Sequence, residues 1–466
     1  MPLLRCLFLV CAVATAADWP QFRGPNGSGV SDSTRLPSRI GPSSNLIWRT
    51  ALPPGHSSPA LTETRIFVTA AEREQIVTIC LDREKGKILW KREAPRPRKE
   101  YMQDTNTPAS PSPATDGSNV YVFFGDFGMI SYSPDGEERW RLPMGPFNNA
   151  NGHGSSPIVS GKLVVLICDQ DTNSFLVAVD KDSGKVKWVT PRPDSTRGYA
   201  TPAVYQPKDG PAELIVPGAY RVVSYLLATG EPLWWVRGFA WQLKSVPLID
   251  GDVIYVSGWE TGGDATEPPN VPTFAETLAK FDTDHDGKIS RAEIGWKSAQ
   301  QFAETDLNHD GVLDERDWNF YRARKTSQNN TVAIRAGGKG DVTDTHVLWR
   351  FRKPVPNVPS PLLYNGVIFL MKEGGILTTL DPKTGEVLKQ GRLTGALGQY
   401  WSSPVGADGK VYVASQEGQV TVLKAAGKWD ILEINELGEE IFATPAIVDG
   451  RIYLRTRAAL YCFGRK

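Results

Sequence analysis

The sequence predicts an all-β fold, an eight-bladed β-propeller that carries a small α-helical insertion in its fifth blade. A Ser-Pro or Thr-Pro step recurs along the chain at Pro59, Pro113, Pro157, Pro202, Pro361, Pro404 and Pro445, with a looser match at Pro247, where Val246 stands before the proline. Most intervals between these prolines are 41 to 54 residues, but 114 residues separate Pro247 from Pro361. A fixed period of about 40–45 residues is the sequence signature of a propeller blade.

A tryptophan near the end of each repeat is the second marker. It follows a turn glycine by four residues in four pairs: Gly86/Trp90, Gly136/Trp140, Gly184/Trp188 and Gly230/Trp234. Trp349 and Trp429 keep the tryptophan with altered turns, and Lys389 replaces it after Gly385. Between the two markers, short apolar runs such as 163–168 and 175–179 are bounded by polar turns. This pattern is typical of four antiparallel strands joined by hairpins.

The eighth repeat, residues 443–463, ends without a tryptophan strand of its own, whereas residues 45–50 near the N-terminus contain Trp48. We therefore predict that the N-terminal strand completes the eighth blade and closes the ring, which removes open sheet edges. The marker prolines and tryptophans are interpreted as architectural. Proline starts an inner strand without needing a ladder N–H, and tryptophan fills the wedge between blades.

The net charge excludes some classes of binding partner, and the N-terminal segment predicts the cellular location of the protein. Lysine plus arginine and aspartate plus glutamate number 52 each, so no basic surface for nucleic acid or an anionic membrane is expected. Residues 1–17 are typical of a secretory signal peptide, with one arginine, an apolar run and small residues before the cleavage point. Val10 precedes Cys11 where a lipoprotein signal needs a small residue, so lipidation is not expected. We predict an exported bacterial protein, periplasmic, on the cell surface or extracellular.

The rest of the chain divides into three predicted parts: residues 18–260 and 329–466 form the propeller, and 261–328 form the insertion. No later segment is long enough to span a bilayer. Residues 18–29 are expected to lie over the propeller as an extended arm, and the long connection 95–109 to fold across one face. The mature chain keeps Cys80, Cys168 and Cys462, each in an apolar strand pattern of a different blade, which predicts buried thiols.

The insertion carries the strongest chemical motif of the sequence. Two twelve-residue loops, 282–293 and 306–317, place oxygen-bearing residues at positions 1, 3, 5, 9 and 12, a glycine at position 6 and a backbone carbonyl at position 7. The predicted ligands are Asp282, Asp284, Asp286, Lys288 (carbonyl), Ser290 and Glu293 in loop one, and Asp306, Asn308, Asp310, Val312 (carbonyl), Asp314 and Asp317 in loop two. This is the pattern of the EF-hand calcium loop, in which alternate residues of a tight turn point oxygens inward. The sequence thus predicts Ca²⁺ as the cofactor.

Two departures from the usual pattern lead to further expectations. The loops start 24 residues apart, so residues 294–305 are expected to serve as the helix leaving loop one and the helix approaching loop two. Loop two ends in Asp317, whose side chain is shorter than glutamate, which predicts a weaker site or one that tolerates Mg²⁺ better. His285 and His309, at position 4 of each loop, are expected to point outward.

The blade pattern, with a Ser-Ser-Pro-Ala-Leu start at 57–61 and the glycine-to-tryptophan end, resembles the quinoprotein-type (PQQ) propeller repeat. Proteins with that repeat include quinone-dependent alcohol dehydrogenases and a non-enzymatic outer-membrane assembly lipoprotein. The resemblance implies the fold over nearly all of the mature chain except the insertion. The dehydrogenases carry an adjacent Cys-Cys disulfide against the quinone, and this sequence has no such pair. No residue here matches their catalytic aspartate, so PQQ is not the expected cofactor.

Two functions stay open on this basis. The first is an exported calcium-binding scaffold for binding or assembly, without enzymatic activity; the alternative is a PQQ-dependent oxidoreductase. A ligand site on the propeller is expected at the axis, where the inner strands begin, and its candidate residues are His56, His153, Tyr199, Lys244, Asn357 and Trp401. These side chains suit a protein or carbohydrate ligand, or else they fill the tunnel mouth and cap the strands. A polysaccharide-degrading role lacks paired carboxylates at catalytic spacing.

Overall fold

In the computed structural model, which describes residues 19–265, 267 and 269–465, eight antiparallel sheets of four strands form a ring. The predicted eight-bladed propeller is confirmed. The strands of blades one to four, from the axis outward, are Ala60–Leu61, Arg65–Glu72, Gln75–Asp82 and Ile88–Ala94; Ala114–Thr115, Val120–Phe124, Gly128–Tyr132 and Glu138–Pro143; Ile158–Ser160, Leu163–Cys168, Phe175–Asp180 and Val186–Pro191; and Ala203–Tyr205, Glu213–Gly218, Arg221–Leu226 and Pro232–Arg237.

Blades five to eight continue the same order. Their strands are Leu248–Asp250, Val253–Gly258, Asn330–Arg335 and Val347–Phe351; Leu362–Tyr364, Val367–Lys372, Ile376–Leu380 and Val387–Arg392; Val405–Ala407, Lys410–Ala414, Gln419–Lys424 and Ile431–Glu436; and Ala446–Val448, Arg451–Arg455, Ala459–Gly464 and Leu46–Ala51. The last of these strands is N-terminal and pairs Trp48 with Cys462, so the predicted closure of the ring is confirmed. A short strand, Gly340–Asp341, extends blade four.

The Ser-Pro and Thr-Pro marker has a structural cause that reaches across blades. The hydroxyl before each marker proline accepts a hydrogen bond from the backbone N–H of the corresponding residue in the preceding blade. For example, Ser360 N–H donates to Ser403 Oγ at 2.9 Å and Ser403 N–H donates to Thr444 Oγ1 at 3.0 Å. Thr444 N–H then donates to Ser58 Oγ at 2.9 Å, which carries the pattern across the closure. We call this circle the hydroxyl ring.

Seven such hydrogen bonds link the eight blades. Their acceptors are Ser58, Ser112, Ser156, Thr201, Ser360, Ser403 and Thr444. The remaining position is Val246, the residue that weakened the sequence match at Pro247. The side chain of valine cannot accept a hydrogen bond. Its Cγ1 instead packs against Gly27 of the arm, where it lies 2.5 Å from the position that a Cβ on this glycine would take. One hydrogen bond of the ring is therefore replaced by a contact with the N-terminal arm.

The glycine-and-tryptophan marker also joins neighbouring blades. The turn glycine of one blade lies beneath the tryptophan of the blade before it, and a Cβ on Gly136 would meet Trp90 at 2.7 Å. The Trp90 indole N–H in turn donates to Pro134 O at 2.8 Å in the same turn. Gly136 has a φ of +82°, so the turn also needs the conformational freedom of glycine. The marker thus records a contact between blades.

The N-terminal arm, residues 19–31, lies over the propeller, as predicted for residues 18–29, of which residue 18 lies outside the described residues. Trp19 is 1% exposed and pairs with Leu61 of blade one, and Ser31 N–H donates to Gly406 O of blade seven. Arg23 is fully buried and donates to Pro361 O at 2.7 Å and to Pro404 O at 3.2 Å. On the far side of the ring, Asn26 Nδ2 donates to Val204 O of blade four at 2.8 Å, so the arm spans the ring and closes one end of the axial tunnel.

The insertion lies between the second and third strands of blade five, where Gly258 pairs directly with Asn330. Its helices are α1 (Phe274–Phe281), α2 (Arg291–Ile294), α3 (Ala299–Thr305) and α4 (Glu315–Thr326), and a fifth helix, α5 (Thr343–His346), follows outside it. Two-residue strands, Ile289–Ser290 and Val312–Leu313, pair antiparallel. The single helix expected over 294–305 is wrong, because Gly295 adopts a left-handed φ of 67° and ends α2.

The remaining structural predictions concern cysteines, membrane segments and the N-terminus. Cys80, Cys168 and Cys462 are buried free thiols, as predicted, and burial raises the pKa of Cys80 and Cys462 to about 12. Within the described ranges, no helix is both long enough and apolar enough to cross a membrane. The predicted signal peptide, residues 1–17, lies outside the described residues.

Candidate metal centre and axial cavity

Loop one of the insertion gathers carboxylates. One oxygen from each of Asp282, Asp284 and Glu293 lies within 4.8 Å of the others. The turn that brings them together is held by the loop itself: Gly287 N–H donates to Asp282 Oδ2 at 3.1 Å and Lys288 N–H donates to Asp286 Oδ1 at 2.8 Å. Backbone amides thus fix the acidic side chains on the inner side of the turn.

Two details concern the hydrogen bonds of the carboxylates in loop one. The Oδ1 atom of Asp282 is buried and makes no hydrogen bond to any described residue. Glu293 accepts from Ser290 N–H at 2.8 Å and from Thr283 N–H at 2.9 Å. These hydrogen bonds favour the ionised form and lower the pKa of Glu293 to about 2. The Glu293 carboxylate is therefore ionised at neutral pH, and carboxylate oxygens are the ligand type that Ca²⁺ prefers.

Loop two has the same backbone turn with a different terminal carboxylate. Gly311 N–H donates to Asp306 Oδ2 at 2.9 Å, which repeats the contact of loop one. Asp317 is buried, accepting from Leu307 N–H at 3.0 Å and Asp314 N–H at 3.2 Å. Burial raises the pKa of Asp317 to about 6. The carboxylate of Asp317 therefore ionises at a higher pH than the carboxylate of Glu293, although both residues occupy position 12 of their loops.

Further hydrogen bonds hold the turn of loop two, and two contacts join it to loop one. Asn308 Oδ1 accepts from Asp310 N–H at 3.1 Å, and Asp310 Oδ1 accepts from Val312 N–H at 3.1 Å. Asp310 Oδ2 also lies 3.6 Å from Lys288 Nζ, an ion pair between the two loops. The position-8 residues Ile289 and Leu313 are fully buried and pair with each other. His285 and His309 are both exposed.

The insertion is attached to the propeller mainly through loop two and α4. Asn148 Nδ2 donates to Leu307 O at 3.2 Å, and Arg316 Nη2 donates to Asp171 O at 2.8 Å. Tyr220 of blade four donates its hydroxyl proton to Phe320 O at 3.0 Å, and the two rings stack with centroids 5.9 Å apart. Loop two is therefore fixed directly against blade three, and α4 against blade four.

An axial cavity of about 480 Å³ occupies the tunnel. Its floor includes Phe22 of the arm and six members of the hydroxyl ring: Ser58, Ser112, Ser156, Ser360, Ser403 and Thr444. Gln103, Thr105 and Asn106 of the connection 95–109 lie at its mouth, in agreement with the expectation that this connection folds across one face. Since the arm closes one end of the tunnel, the cavity is a blind pocket.

Five of the six predicted axial residues line this cavity: His56, Tyr199, Lys244, Asn357 and Trp401. The sixth, His153, does not. It is 6% exposed and packs against Phe123 and Phe147, with ring centroids 5.5 and 4.3 Å away, while Gly154 takes its place in the lining. Burial lowers the pKa of His153 to about 4, so this imidazole is neutral at physiological pH.

The charged groups of the cavity are paired, with one exception. Arg197 forms a buried ion pair with Asp171. Arg324 of α4 lies 3.4 Å from Glu260 and 3.1 Å from Glu304 of α3, with its guanidinium 4.2 Å from the centroid of the Trp241 ring.

Lys244 is the exception. Its Nζ donates to Asn357 Oδ1 at 3.0 Å and forms no ion pair with a carboxylate among the described residues. Burial lowers the pKa of Lys244 to about 8. The cavity therefore holds a cationic group whose hydrogen-bond partner is a neutral amide.

Sequence reasoning missed several residues of the cavity. Glu304 and Arg324 come from the insertion, and Trp241, Trp259 and Glu260 come from two strand ends of the ring. They meet only because the insertion folds back over the axis, and no local pattern encodes that contact. The hydroxyl ring, in contrast, coincides with the Ser-Pro and Thr-Pro marker, so its residues do carry a local sequence signal.

The fold and these two features define the class of protein: an eight-bladed propeller with a blind axial cavity and an acidic helical insertion at its mouth. The family described as outer membrane protein assembly factor BamB matches residues 38–265 and 209–399, so the chain belongs to this family. A relative from Yersinia pestis, outer membrane protein assembly factor BamB, is 23% identical over 392 residues, which cover 80% of this chain and 87% of the relative.

Solved structures share the fold at low identity. BamB from Moraxella catarrhalis has a TM-score of 0.55 and 14% identity, and the match covers 89% of this chain and 100% of that chain. A europium-containing methanol dehydrogenase has a TM-score of 0.61 and 12% identity, with 96% and 98% covered. A quinohemoprotein alcohol dehydrogenase from Comamonas testosteroni has a TM-score of 0.57 and 12% identity, with 98% and 82% covered. Likeness at this level of identity concerns the fold alone.

Proposed function

We propose that this chain is an exported, calcium-binding scaffold of the assembly factor family, in which residues 261–328 form an EF-hand pair grafted into blade five. The observation that carries the calcium assignment is the gathering of Asp282, Asp284 and Glu293 oxygens within 4.8 Å. The buried Oδ1 of Asp282, which has no partner among the described residues, supports it further. A buried carboxylate oxygen without a hydrogen bond is costly unless a cation or donor meets it.

The two loops differ in the affinity expected of them. Loop one ends in Glu293, whose pKa is low, so its position-12 carboxylate is ionised before a cation arrives. Loop two ends in the shorter, buried Asp317, whose raised pKa means that cation binding must displace a proton near pH 6. Loop one is therefore the stronger calcium site, and loop two is the weaker site or the one that accepts Mg²⁺.

The scaffold role rests on the family and on the propeller. The printed name of the Yersinia pestis relative describes an outer membrane protein assembly factor, and the chain covers 87% of that relative. A propeller presents a rigid ring of loops suited to protein partners, which is consistent with a role in assembly. The predicted signal peptide supports export to the compartment in which such a factor acts.

Calorimetric titration of the chelator-treated protein with CaCl₂ tests the calcium assignment. The wild type is expected to release or absorb heat with at least one strong site, and Glu293→Gln to lose that site. Glu315→Gln is the matched control. Glu315 is exposed on α4 and does not occupy a ligand position, and its substitution removes the same charge as Glu293→Gln. Absence of heat in the wild type, or equal titrations of the two variants, would contradict the assignment.

The quinone-dependent alternative is tested on the same protein. PQQ is added with Ca²⁺, the absorbance spectrum is recorded and dye-coupled alcohol oxidation is measured. A scaffold gives no turnover above that of heat-denatured protein, whereas PQQ-dependent turnover that follows protein concentration would establish the oxidoreductase in its place.

A further inference from the structure

The axial cavity is rich in hydrogen-bond donors that the protein itself does not use. Each of its six ring hydroxyls accepts a hydrogen bond from a backbone N–H, and none of them donates to another described protein atom. A hydroxyl carries one O–H donor and two acceptor positions, so the O–H of each remains available to the cavity. The indole N–H of Trp259 is also buried in the wall without a partner among the described residues.

In the cavity, Lys244 and Arg324 balance the charges of Glu260 and Glu304, but Lys244 has no carboxylate in contact among the described residues. Lys244 meets only the amide oxygen of Asn357, whereas the cavity's carboxylates, Glu260 and Glu304, are held by Arg324. An ammonium group among free O–H and N–H donors favours a ligand that brings negative charge and many acceptor oxygens.

The walls add flat apolar faces to this donor set. Trp401 is held in place by a hydrogen bond from its indole N–H to Gln416 Oε1 at 2.7 Å. The Trp241 ring is instead covered by arginine, with the guanidiniums of Arg324 and Arg197 at 4.2 and 5.1 Å from its centroid. His56 stacks on Phe442 with ring centroids 4.0 Å apart. Aromatic faces of this kind pack against the C–H face of a sugar ring, and the volume of the cavity lies in the range of about 300–1,000 Å³ typical of small-molecule sites.

One wall of the cavity belongs to the insertion. Glu304 lies in the last turn of α3, just before loop two, and Arg324 lies on α4, which follows loop two. Because α4 starts inside loop two, the position of Arg324 depends on how that loop is folded. Metal binding to such a loop contributes folding free energy, so a bound cation would hold this wall in place.

We propose that the axial cavity binds a small acidic sugar, of the uronic acid class, and that the calcium-loaded insertion completes the wall of this site. The carboxylate lies against Lys244, the hydroxyls and ring oxygen accept from the hydroxyl ring, and the sugar face packs on Trp401. The calcium dependence rests on the proposed function, whereas the sugar site itself does not. Ligand and calcium are then linked, each raising the affinity for the other.

Titration of the full-length protein with sodium glucuronate, followed by tryptophan fluorescence and calorimetry in CaCl₂, tests the site. Saturable binding of glucuronate with at least tenfold weaker binding of glucose is expected, because glucose has the same ring without the carboxylate. Lys244→Met is expected to lose that preference for glucuronate. No glucuronate binding, equal binding of both sugars, or unchanged preference in Lys244→Met would overturn the sugar site.

Repeating the glucuronate titration in EGTA tests the linkage. The affinity is expected to fall at least fivefold on calcium removal in the wild type and to become independent of calcium in Arg324→Gln. Arg322→Gln is the matched control, since Arg322 lies on the same helix but donates within the insertion, to Val271 O at 2.8 Å. Equal glucuronate affinity with and without calcium, in a protein that calorimetry shows to bind calcium, overturns the linkage and leaves the proposed function standing.

Discussion

The hydroxyl ring is expected to contribute to stability at each of its hydrogen bonds, and Ser403→Ala tests this. Ser403 Oγ accepts from Ser360 N–H at 2.9 Å, and both residues are 2% exposed. Removing the hydroxyl leaves a buried N–H without an acceptor, which costs about 1–3 kcal/mol of unfolding free energy. The neighbouring Ser402 is also fully buried, but its hydroxyl makes no hydrogen bond to the described residues. Ser402→Ala removes an unsatisfied polar group and is expected to change stability by less than about 0.5 kcal/mol, or to increase it.

Urea unfolding followed by tryptophan fluorescence measures the difference between the two variants. The same comparison is available in blade three, where Ser156 Oγ accepts from Ser112 N–H at 2.9 Å and the buried hydroxyl of Ser155 makes no hydrogen bond to the described residues. Loss of stability only in the second serine of each pair supports the hydroxyl ring. Equal losses within a pair, or no loss in either, would show that the cross-blade hydrogen bonds do not stabilise the closed ring.

Three further changes test the packing around the axis. Val246→Thr restores the missing hydroxyl with little change of side-chain shape. Urea unfolding is therefore expected to show an unfolding free energy raised by about 0.5–1.5 kcal/mol. A loss of stability would mean that the apolar contact of Val246 with the arm contributes more than the restored hydrogen bond. Lys244→Met is expected to be about 1–3 kcal/mol more stable than the wild type at pH 7. Burial holds the pKa of Lys244 at about 8, below its unfolded value of about 10.4, so the charged lysine weakens folding below pH 8 and this penalty vanishes as pH rises toward 10.4. A stability difference that does not shrink between pH 8 and 10.4 would contradict that origin. Gly136→Ala is expected to lower the unfolding free energy by at least about 1 kcal/mol more than Gly161→Ala, because an added Cβ meets a tryptophan only at position 136. Equal shifts of the thermal unfolding midpoint in the two variants would show that the contact between Gly136 and Trp90 does not constrain this position.

The fold could be predicted because its sequence markers coincide with contacts that every blade repeats. A serine or threonine before the proline accepts from the preceding blade, and the turn glycine makes room for the preceding blade's tryptophan. Such contacts impose the same residue at the same position of each repeat, so the period is visible in the chain. Val246 departs from the pattern because it contacts the N-terminal arm, which has no counterpart in other repeats.

The candidate sites were predictable only where their residues are close in sequence. The ligand pattern of each acidic loop lies within twelve residues, whereas Arg324 meets Trp241 and Glu260 across more than 60 positions. The position of His153 shortly before a marker proline predicts an axial side chain, but neighbouring phenylalanines hold its ring in the core instead. The break between α2 and α3 was encoded by Gly295, a residue type that commonly ends helices.

The number of calcium ions bound per chain is the most direct test of the central claim, that the carboxylates of loop one form a metal site. Equilibrium dialysis against Ca²⁺, followed by elemental analysis, gives this number for the wild type and for Glu293→Gln. The geometry of Asp282, Asp284 and Glu293 predicts at least one bound ion in the wild type and one fewer in the variant. A wild type that retains no calcium, or a variant that retains as much as the wild type, would contradict it.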